Sequence, residues 1–289
     1  MRLLVFGAGY TGRAIHAAAR AAGHDAVLVS RTPEPGMAAF TAVDAAAAEA
    51  VVATAPPDGG TDPVLAVHGP ALARGGLRHA IYLSTTGVYG DRGGAWVDEA
   101  SDPRPMQPRS VLRLAVERAW AALAPETAVD LCRTSGIYGP GRSALDELRA
   151  GRGRRIDKPG HVFSRTHRDD IARAVVAALA RPPGGVRVLH LADDEPAEPR
   201  AVTEAAARLL GIAPPPLVTF AEAARAMSPL ALSFWSERRR VSAAATKAAL
   251  RIEWRYPTYR EGLAAIAGHR VGRSGEPGRA DQAGRTFQG

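Results

Sequence analysis

The first twenty-three residues constrain this chain more than any other segment. An apolar run, Leu3 to Phe6, leads directly into Gly7, Ala8, Gly9, Tyr10, Thr11 and Gly12, and a helical stretch from Thr11 to Ala22 follows, closed by Gly23. The hexapeptide reads G-x-G-x-x-G between a strand and a helix, the context in which that spacing has a mechanical meaning. Gly7 permits a tight turn, Gly9 lets the backbone approach a ligand, and Gly12 lets the helix pack closely. The unpaired N–H groups and dipole of the following helix then attract phosphate. Such a beginning commits the chain to a β-α unit within a covered sheet.

The alternation continues to about Pro196. Strands are predicted at Ala26 to Ser30, Ala39 to Val43, Val51 to Thr54, Ala80 to Thr85 and Val129 to Arg133, with helices at Asp62 to Leu72 and Pro108 to Leu123. Short apolar strands separated by alanine-rich helices predict an α/β fold, a Rossmann-type doubly wound parallel sheet. From Arg142 the pattern loosens into a basic glycine stretch (Arg149 to Lys158), a strand at His161 to Arg165 and a helix at Asp169 to Ala180. A strand at Val186 to Leu191 and helices at Arg200 to Leu210 and Pro257 to Ala267 complete it. Residues 1–267 thus read as a single nucleotide-binding domain, with a small C-terminal substrate or cap region mostly within 142–267. The stretch 268–289 has almost nothing apolar and is expected to be a disordered tail.

The end of the second strand bears on the choice of dinucleotide, because an acidic residue there binds ribose hydroxyls and repels a 2′-phosphate. Here it reads Val29, Ser30, Arg31, Thr32. With Arg31 and two hydroxyls and no carboxylate, the site suits NADP(H), NAD remaining the alternative if Arg31 is only a solvated arginine. Asp44, closing the third predicted strand, either borders the adenine or caps a helix.

Three further motifs carry a resemblance. Tyr82 to Gly90 (YLSTTGVYG), Arg133 to Arg142 (RTSGIYGPGR) and Phe163 to Ile171 (FSRTHRDDI) stand in an order that resembles the extended short-chain dehydrogenases/reductases. The wording STTGVYGDRGGAWVDE, with YPTYREGL near the end, is similar to an atypical branch labelled NAD-dependent epimerase/dehydratase. The resemblance covers most of 1–267 and implies cofactor-site residues Gly7, Gly9, Tyr10, Thr11, Gly12, Arg31, Thr32, Asp44, Ser84 and Arg133. It also implies three catalytic roles. A Ser or Thr after the fifth strand polarises the substrate oxygen, and this falls on Thr85. A Tyr that moves the proton and a Lys four residues later are replaced by Arg109 and Arg113.

A guanidinium stays protonated at any working pH, so Arg109 cannot act as a general acid or base. Arg113 can still bind the nicotinamide ribose or an anionic substrate. Tyr89, Tyr138 and His167 are the remaining candidates for the proton; each is equally explained as a pocket- or loop-shaping residue. Thr85, Tyr89 and Arg113 are taken as the catalytic set. The implied function is an NADP(H)-binding oxidoreductase or epimerase/dehydratase-like enzyme acting on a small anionic carbonyl or hydroxyl compound. The alternative is a non-catalytic NADP-binding redox sensor or scaffold.

An anionic substrate is suggested by Arg142, Arg152, Arg154, Arg155, Lys158, Arg165 and Arg168, expected to approach one crevice beyond the strands' carboxyl ends. The net charge of +8 would otherwise suggest nucleic acid, but nearly all of it is arginine, with Lys158 and Lys247 the only lysines. The run Glu237 to Arg240 lacks interleaved aromatics and reads as a solvated face or crevice lining, so no nucleic-acid partner is expected. A single cysteine, Cys132, flanked by strand residues, reads as a core thiol and excludes a cysteine metal cage; no metal site is expected. No apolar run reaches membrane-spanning length, and a cytoplasmic protein is expected. Leu112, Val116, Trp120 and Leu123 form an apolar helix face that either pairs in a homodimer or packs on the chain's own core.

Overall fold

The computed structural model describes residues 1–124 and 126–271. In chain order the elements are β1 (Arg2–Phe6), α1 (Tyr10–Ala21), β2 (Asp25–Ser30), β3 (Ala38–Ala39), β4 (Ala50–Ala53), α2 (Pro63–Arg74), β5 (His79–Thr85), the 3-10 turn Thr86–Tyr89, β6 (Trp96–Val97) and α3 (Pro108–Ala121). There follow β7 (Ala128–Thr134), β8 (Gly136–Tyr138), α4 (Ala144–Arg149), β9 (Arg155–Asp157), β10 (Arg165–His167), α5 (Arg168–Leu179) and β11 (Val186–Leu191). The last are α6 (Pro199–Leu210), β12 (Leu217–Thr219), α7 (Phe220–Ala224), α8 (Pro229–Phe234), β13 (Arg240–Val241), α9 (Ala244–Leu250) and α10 (Tyr259–Val271).

Seven parallel strands form the main sheet in the order β11-β7-β5-β4-β1-β2-β3. The chain starts in the middle, builds outward through β2 and β3, then crosses back to β4 and continues to the other edge. The reversal between β1 and β4 opens a crevice at their carboxyl ends, where the glycine turn sits. Alternation along β1 sends Leu3 and Val5 to one face, against Ile15 and Ala19 of α1 and Ile171 and Val175 of α5. Leu4 and Phe6 face the other way, in a core shared with Val64 and Leu72 of α2 and Val116 and Trp120 of α3. A strand buried on both faces has no polar side to show, which is why these strands read as continuous apolar runs.

The apolar face of α3 belongs to this core: Trp120 is fully buried and stacks on Tyr82 at 6.0 Å, while Leu112 and Leu123 pack at the margin. The smaller region joins short parallel pairs, β8 with β10 and β9 with β12, to α4, α6 and α10 around Tyr138, Leu145, Tyr259 and Leu263, while β6 and β13 pack Val97 and Val241 against Val88, Tyr89 and Ala192.

Two expected strands differ. Residues 39–43 extend the sheet only through Ala39, because the chain then turns on hydrogen bonds from Ala42 and Val43 to the Ala39 carbonyl. The Phe40 ring lies against Phe6 and His68 at the sheet's end. The strand expected at 161–165 lies instead at Arg165–His167, since the His161 and Phe163 rings are taken up by Trp235, at 5.4 and 5.5 Å. α10 runs to Val271, and the tail expected over 268–289 lies, from 272 onward, outside the described residues.

Candidate functional site

At the centre is the turn between β1 and α1. Gly7 has a φ of 107°, and a Cβ there would stand 2.3 Å from the Thr54 hydroxyl oxygen. At Gly12 it would stand 1.8 Å from the Gly7 carbonyl oxygen, so turn and helix close on each other only through glycine. Gly9 differs: its Cβ would meet nothing within 4 Å, and no side chain caps the helix that begins beside it. The turn therefore leaves open space next to unpaired helix N–H groups, the cradle a dinucleotide pyrophosphate requires. A cavity of about 390 Å³ lies beside it, lined by Gly7, Gly9, Arg13, Arg31, Thr32 and Glu34 among others.

Tyr10, in the turn, donates to the Pro140 carbonyl at 3.1 Å, and the guanidiniums of Arg168 and Arg142 lie 4.6 and 5.8 Å from its ring. The glycine turn is thus tied to the loop that follows β8. Thr11, half-buried, sits in the first turn of α1.

Arg31 is exposed and pairs with Asp58 at 3.1 Å; Thr32 donates its backbone N–H to the Ser30 hydroxyl oxygen. The sequence reading missed a second pair at this edge, Arg13 with Glu34 at 2.8 Å, because Glu34 lies four residues beyond the strand and only the fold returns it to the cavity. Asp44 is exposed and is not among the lining residues, the chain having turned away after Phe40.

At the carboxyl ends of β5 and β7, Thr85 accepts a hydrogen bond from the Gly87 N–H at 3.1 Å and caps the 3-10 turn. Its own hydroxyl proton has no protein acceptor among the bonds found in the described residues. Ser84 points the other way, donating to Glu117 at 2.5 Å. Glu117, on α3, is 2% exposed and receives Arg133 through Nη2 at 2.7 Å and Nε at 3.1 Å. Arg133 also donates to the Tyr89 hydroxyl at 2.7 Å, and that hydroxyl meets His190 Nε2 at 2.5 Å. His190 Nδ1 lies 2.7 Å from the Ser242 carbonyl and so carries the proton, leaving Nε2 to accept from Tyr89.

Ser84, Glu117, Arg133, Tyr89 and His190 thus form one buried chain beneath the crevice. Tyr89 is fully buried, and burial raises its pKa despite the nearby Arg133 charge. Its geometry does not present a phenol to a substrate. The faint signal for Glu117 was a carboxylate beside Val116 in the apolar stripe of α3; nothing in the sequence marked His190.

Arg113 donates to the Tyr82 hydroxyl at 2.7 Å and the Leu83 carbonyl at 3.0 Å, which places its guanidinium at the end of β5. Arg109, one turn earlier, is exposed with its guanidinium 4.1 Å over the Phe234 ring and no carboxylate partner among the described residues. Tyr138 and His167 are buried; Tyr138 reaches the Thr258 carbonyl at 3.4 Å, and burial lowers the pKa of His167, which sits against Tyr256.

Of the cationic cluster expected over the crevice, Arg142 and Arg168 lie together beside Tyr10 at the glycine turn. Arg152, Arg155 and Arg168 pair with Glu147, Glu204 and Asp169, while Lys158 and Arg165 donate to backbone carbonyls. In the run 237–240, Arg239 and Arg240 bind the carbonyls of Gly90 and Gly94 and stitch β13 to the loop before β6. Among the described residues, no group of three His, Cys, Asp or Glu side chains could hold a metal ion, and no helix is long and apolar enough to cross a membrane.

No known family model matches the chain. Over 135 residues it is 32% identical to Protein YeeZ of Escherichia coli strain K12, a match covering 47% of each chain; the chain spans about half the length of the curated relatives it matches. A conserved protein of unknown function from Silicibacter pomeroyi DSS superposes with a TM-score of 0.82 at 38% identity, over 93% of this chain and 99% of that one. Human epimerase family protein SDR39U1 with NADPH gives 0.75 at 22% identity, over 93% and 99%. MoeE5 in complex with UDP-glucuronic acid and NAD gives 0.74 at 21% identity, over 94% and 100%.

Proposed function

The chain belongs to the same family as the Silicibacter pomeroyi protein and has the extended short-chain dehydrogenase/reductase fold of nicotinamide-dinucleotide-binding epimerases; on that premise we propose that it is an NADP(H)-dependent oxidoreductase acting on a small anionic carbonyl or hydroxyl compound. The observation that supports this best is the open cradle at Gly9 beside a cavity whose rim carries Arg31 and Arg13. Gly7, Gly9, Thr11 and Gly12 would hold the pyrophosphate, and Ser30, Arg31 and Thr32 the adenosine phosphate. When bound, the dinucleotide supplies or accepts hydride.

The chain's own residues position the substrate. Thr85 offers its hydroxyl proton to the substrate oxygen, and the capping bond from Gly87 fixes that orientation. Arg113 holds the nicotinamide ribose edge at the end of β5, and Arg109 supplies an exposed positive charge for an anionic substrate. Tyr89 and Arg133 act from beneath, holding α3 against β5 and β7. With Tyr89, Tyr138 and His167 buried, the proton that accompanies hydride comes from solvent or from the substrate.

Arg109 and Arg113 at the family's Tyr and Lys positions also favour a second reading, a non-catalytic NADP sensor or scaffold. The test is calorimetric titration of NADP(H) and NAD(H) into the native chain and Arg31→Asp, followed by NADPH oxidation over a panel of carbonyl acids. Tight NADP(H) binding weakened by the substitution, with turnover of a panel member, supports the enzyme. Binding with complete inertness favours the sensor, and absence of binding removes both.

A further inference from the structure

The edge of the cavity where the adenosine ribose would lie is electrically balanced. Arg13 and Arg31 contribute two positive charges, and Glu34 and Asp58 answer them at 2.8 and 3.1 Å. The two pairs are not equivalent. Arg13, Arg31 and Glu34 line the cavity, whereas Asp58 meets Arg31 from outside that lining. Arg13 is anchored to the glycine turn, its Nε donating to the Ala8 carbonyl at 2.8 Å while Nη2 takes Glu34. Glu34 stands between Pro33 and Pro35, whose rings fix φ, and its carbonyl closes a turn onto the Met37 N–H. Its backbone is thus set, and its side chain, 61% exposed, meets Arg13 at the cavity rim.

We propose that Glu34 sets the choice between NADP and NAD, serving as an internal anion on Arg13 that a 2′-phosphate must displace. This rests on the reading of the cavity as a dinucleotide site. A 2′-phosphate arriving between the arginines meets a carboxylate already holding one of them, and the two anions repel. The plain ribose of NAD instead offers two hydroxyl donors, for which a carboxylate is the matching acceptor. Glu34 therefore opposes the preference that Arg31 creates, and the site carries both determinants at once. Because the Arg13–Glu34 pair is solvent-exposed, displacing it shifts the preference by a modest factor and does not exclude either dinucleotide.

The experiment is calorimetric titration of NADP⁺ and NAD⁺ into the native chain, Glu34→Gln and Asp58→Asn. In E34Q the affinity for NADP⁺ rises and that for NAD⁺ falls, each by about fivefold, the size of one exposed charged contact. In D58N, which frees Arg31 without removing the ribose acceptor, NADP⁺ tightens and NAD⁺ is unchanged. If both dinucleotides bind the native chain but E34Q leaves their ratio within about twofold, or shifts it toward NAD⁺, the assignment of Glu34 is overturned while the cofactor site stands. A loss of NAD⁺ affinity in D58N equal to that in E34Q overturns it equally. If neither dinucleotide binds the native chain, the cofactor reading itself fails, and the inference with it.

Discussion

Gly9 and Gly12 lie three residues apart and carry separable tasks. A methyl at Gly12 collides with the Gly7 carbonyl, whereas one at Gly9, where φ is an ordinary −77°, projects into the cradle. Gly12→Ala should therefore lower both the urea midpoint and dinucleotide affinity. Gly9→Ala should leave stability within about 1 kcal/mol and weaken binding at least tenfold. Equal stability losses would show that the cradle is only structural. Asp193, just beyond β11, yields a pH prediction. Its carboxyl is buried, and burial raises its pKa to about 8 although the Arg165 guanidinium and the nearby backbone N–H groups of Arg165 and Glu195 pull it down. The folded state thus keeps a proton that the unfolded chain releases near its ordinary value of 3.8. This group's stabilisation is complete below that pH and is lost as pH rises toward 8. Between pH 5 and pH 9 the native chain should lose more stability than Asp193→Asn, measured by denaturant midpoints; an equal or smaller loss refutes the assignment.

Helix α3 is fastened to the sheet by charge as well as by apolar packing. Glu117 joins Ser84 on β5 to Arg133 on β7, and all three are buried. Glu117→Ala leaves the Arg133 guanidinium enclosed without its counter-charge, and the expected loss is about 3–5 kcal/mol in urea denaturation. Replacing Glu117 and Arg133 together by leucine and methionine should recover much of that loss, because the penalty arises from the unpaired charge. This network marks the boundary of what the chain's linear pattern discloses. Long elements were legible for two reasons: burial of one face of α1 repeats about every 3.6 residues, and β5, buried on both faces, leaves a continuous apolar run. Strands of two or three residues, such as β6, β8 and β13, span too little chain to show a period, and they depend on partners 29 to 144 positions away. The glycine turn and Arg31 were readable because their task is local. Glu34, Glu117 and His190 were not, because each acquires its meaning from a residue that only the fold delivers.

At the level of the whole molecule, the proposed function makes binding through the glycine cradle separable from the role of Thr85, because the two lie at different strand ends. The cradle lies at β1 and β2, the Thr85 hydroxyl at the end of β5, and the Tyr10–Pro140 bond ties the first region to the loop after β8. A ligand that binds only the folded chain stabilises it by about 2.7 kcal/mol at one hundred times its Kd. For a chain of this size that corresponds to a Tm increase of about 5–10 °C. NADPH should produce that increase in the native chain, in Thr85→Ser and in Thr85→Val alike, because Thr85 is not part of the cradle. Turnover of an active panel substrate should survive in Thr85→Ser and fall at least about a hundredfold in Thr85→Val, which removes the hydrogen bond that polarises the substrate oxygen. The lost cap on Gly87 lowers the baseline Tm of Thr85→Val, so the quantity compared is the NADPH-induced shift, not the Tm itself. A preserved shift with lost turnover places Thr85 in the chemistry. Undiminished turnover in Thr85→Val assigns the polarising role elsewhere, and a preserved shift in a native chain that turns over no substrate identifies a dinucleotide-responsive binding protein.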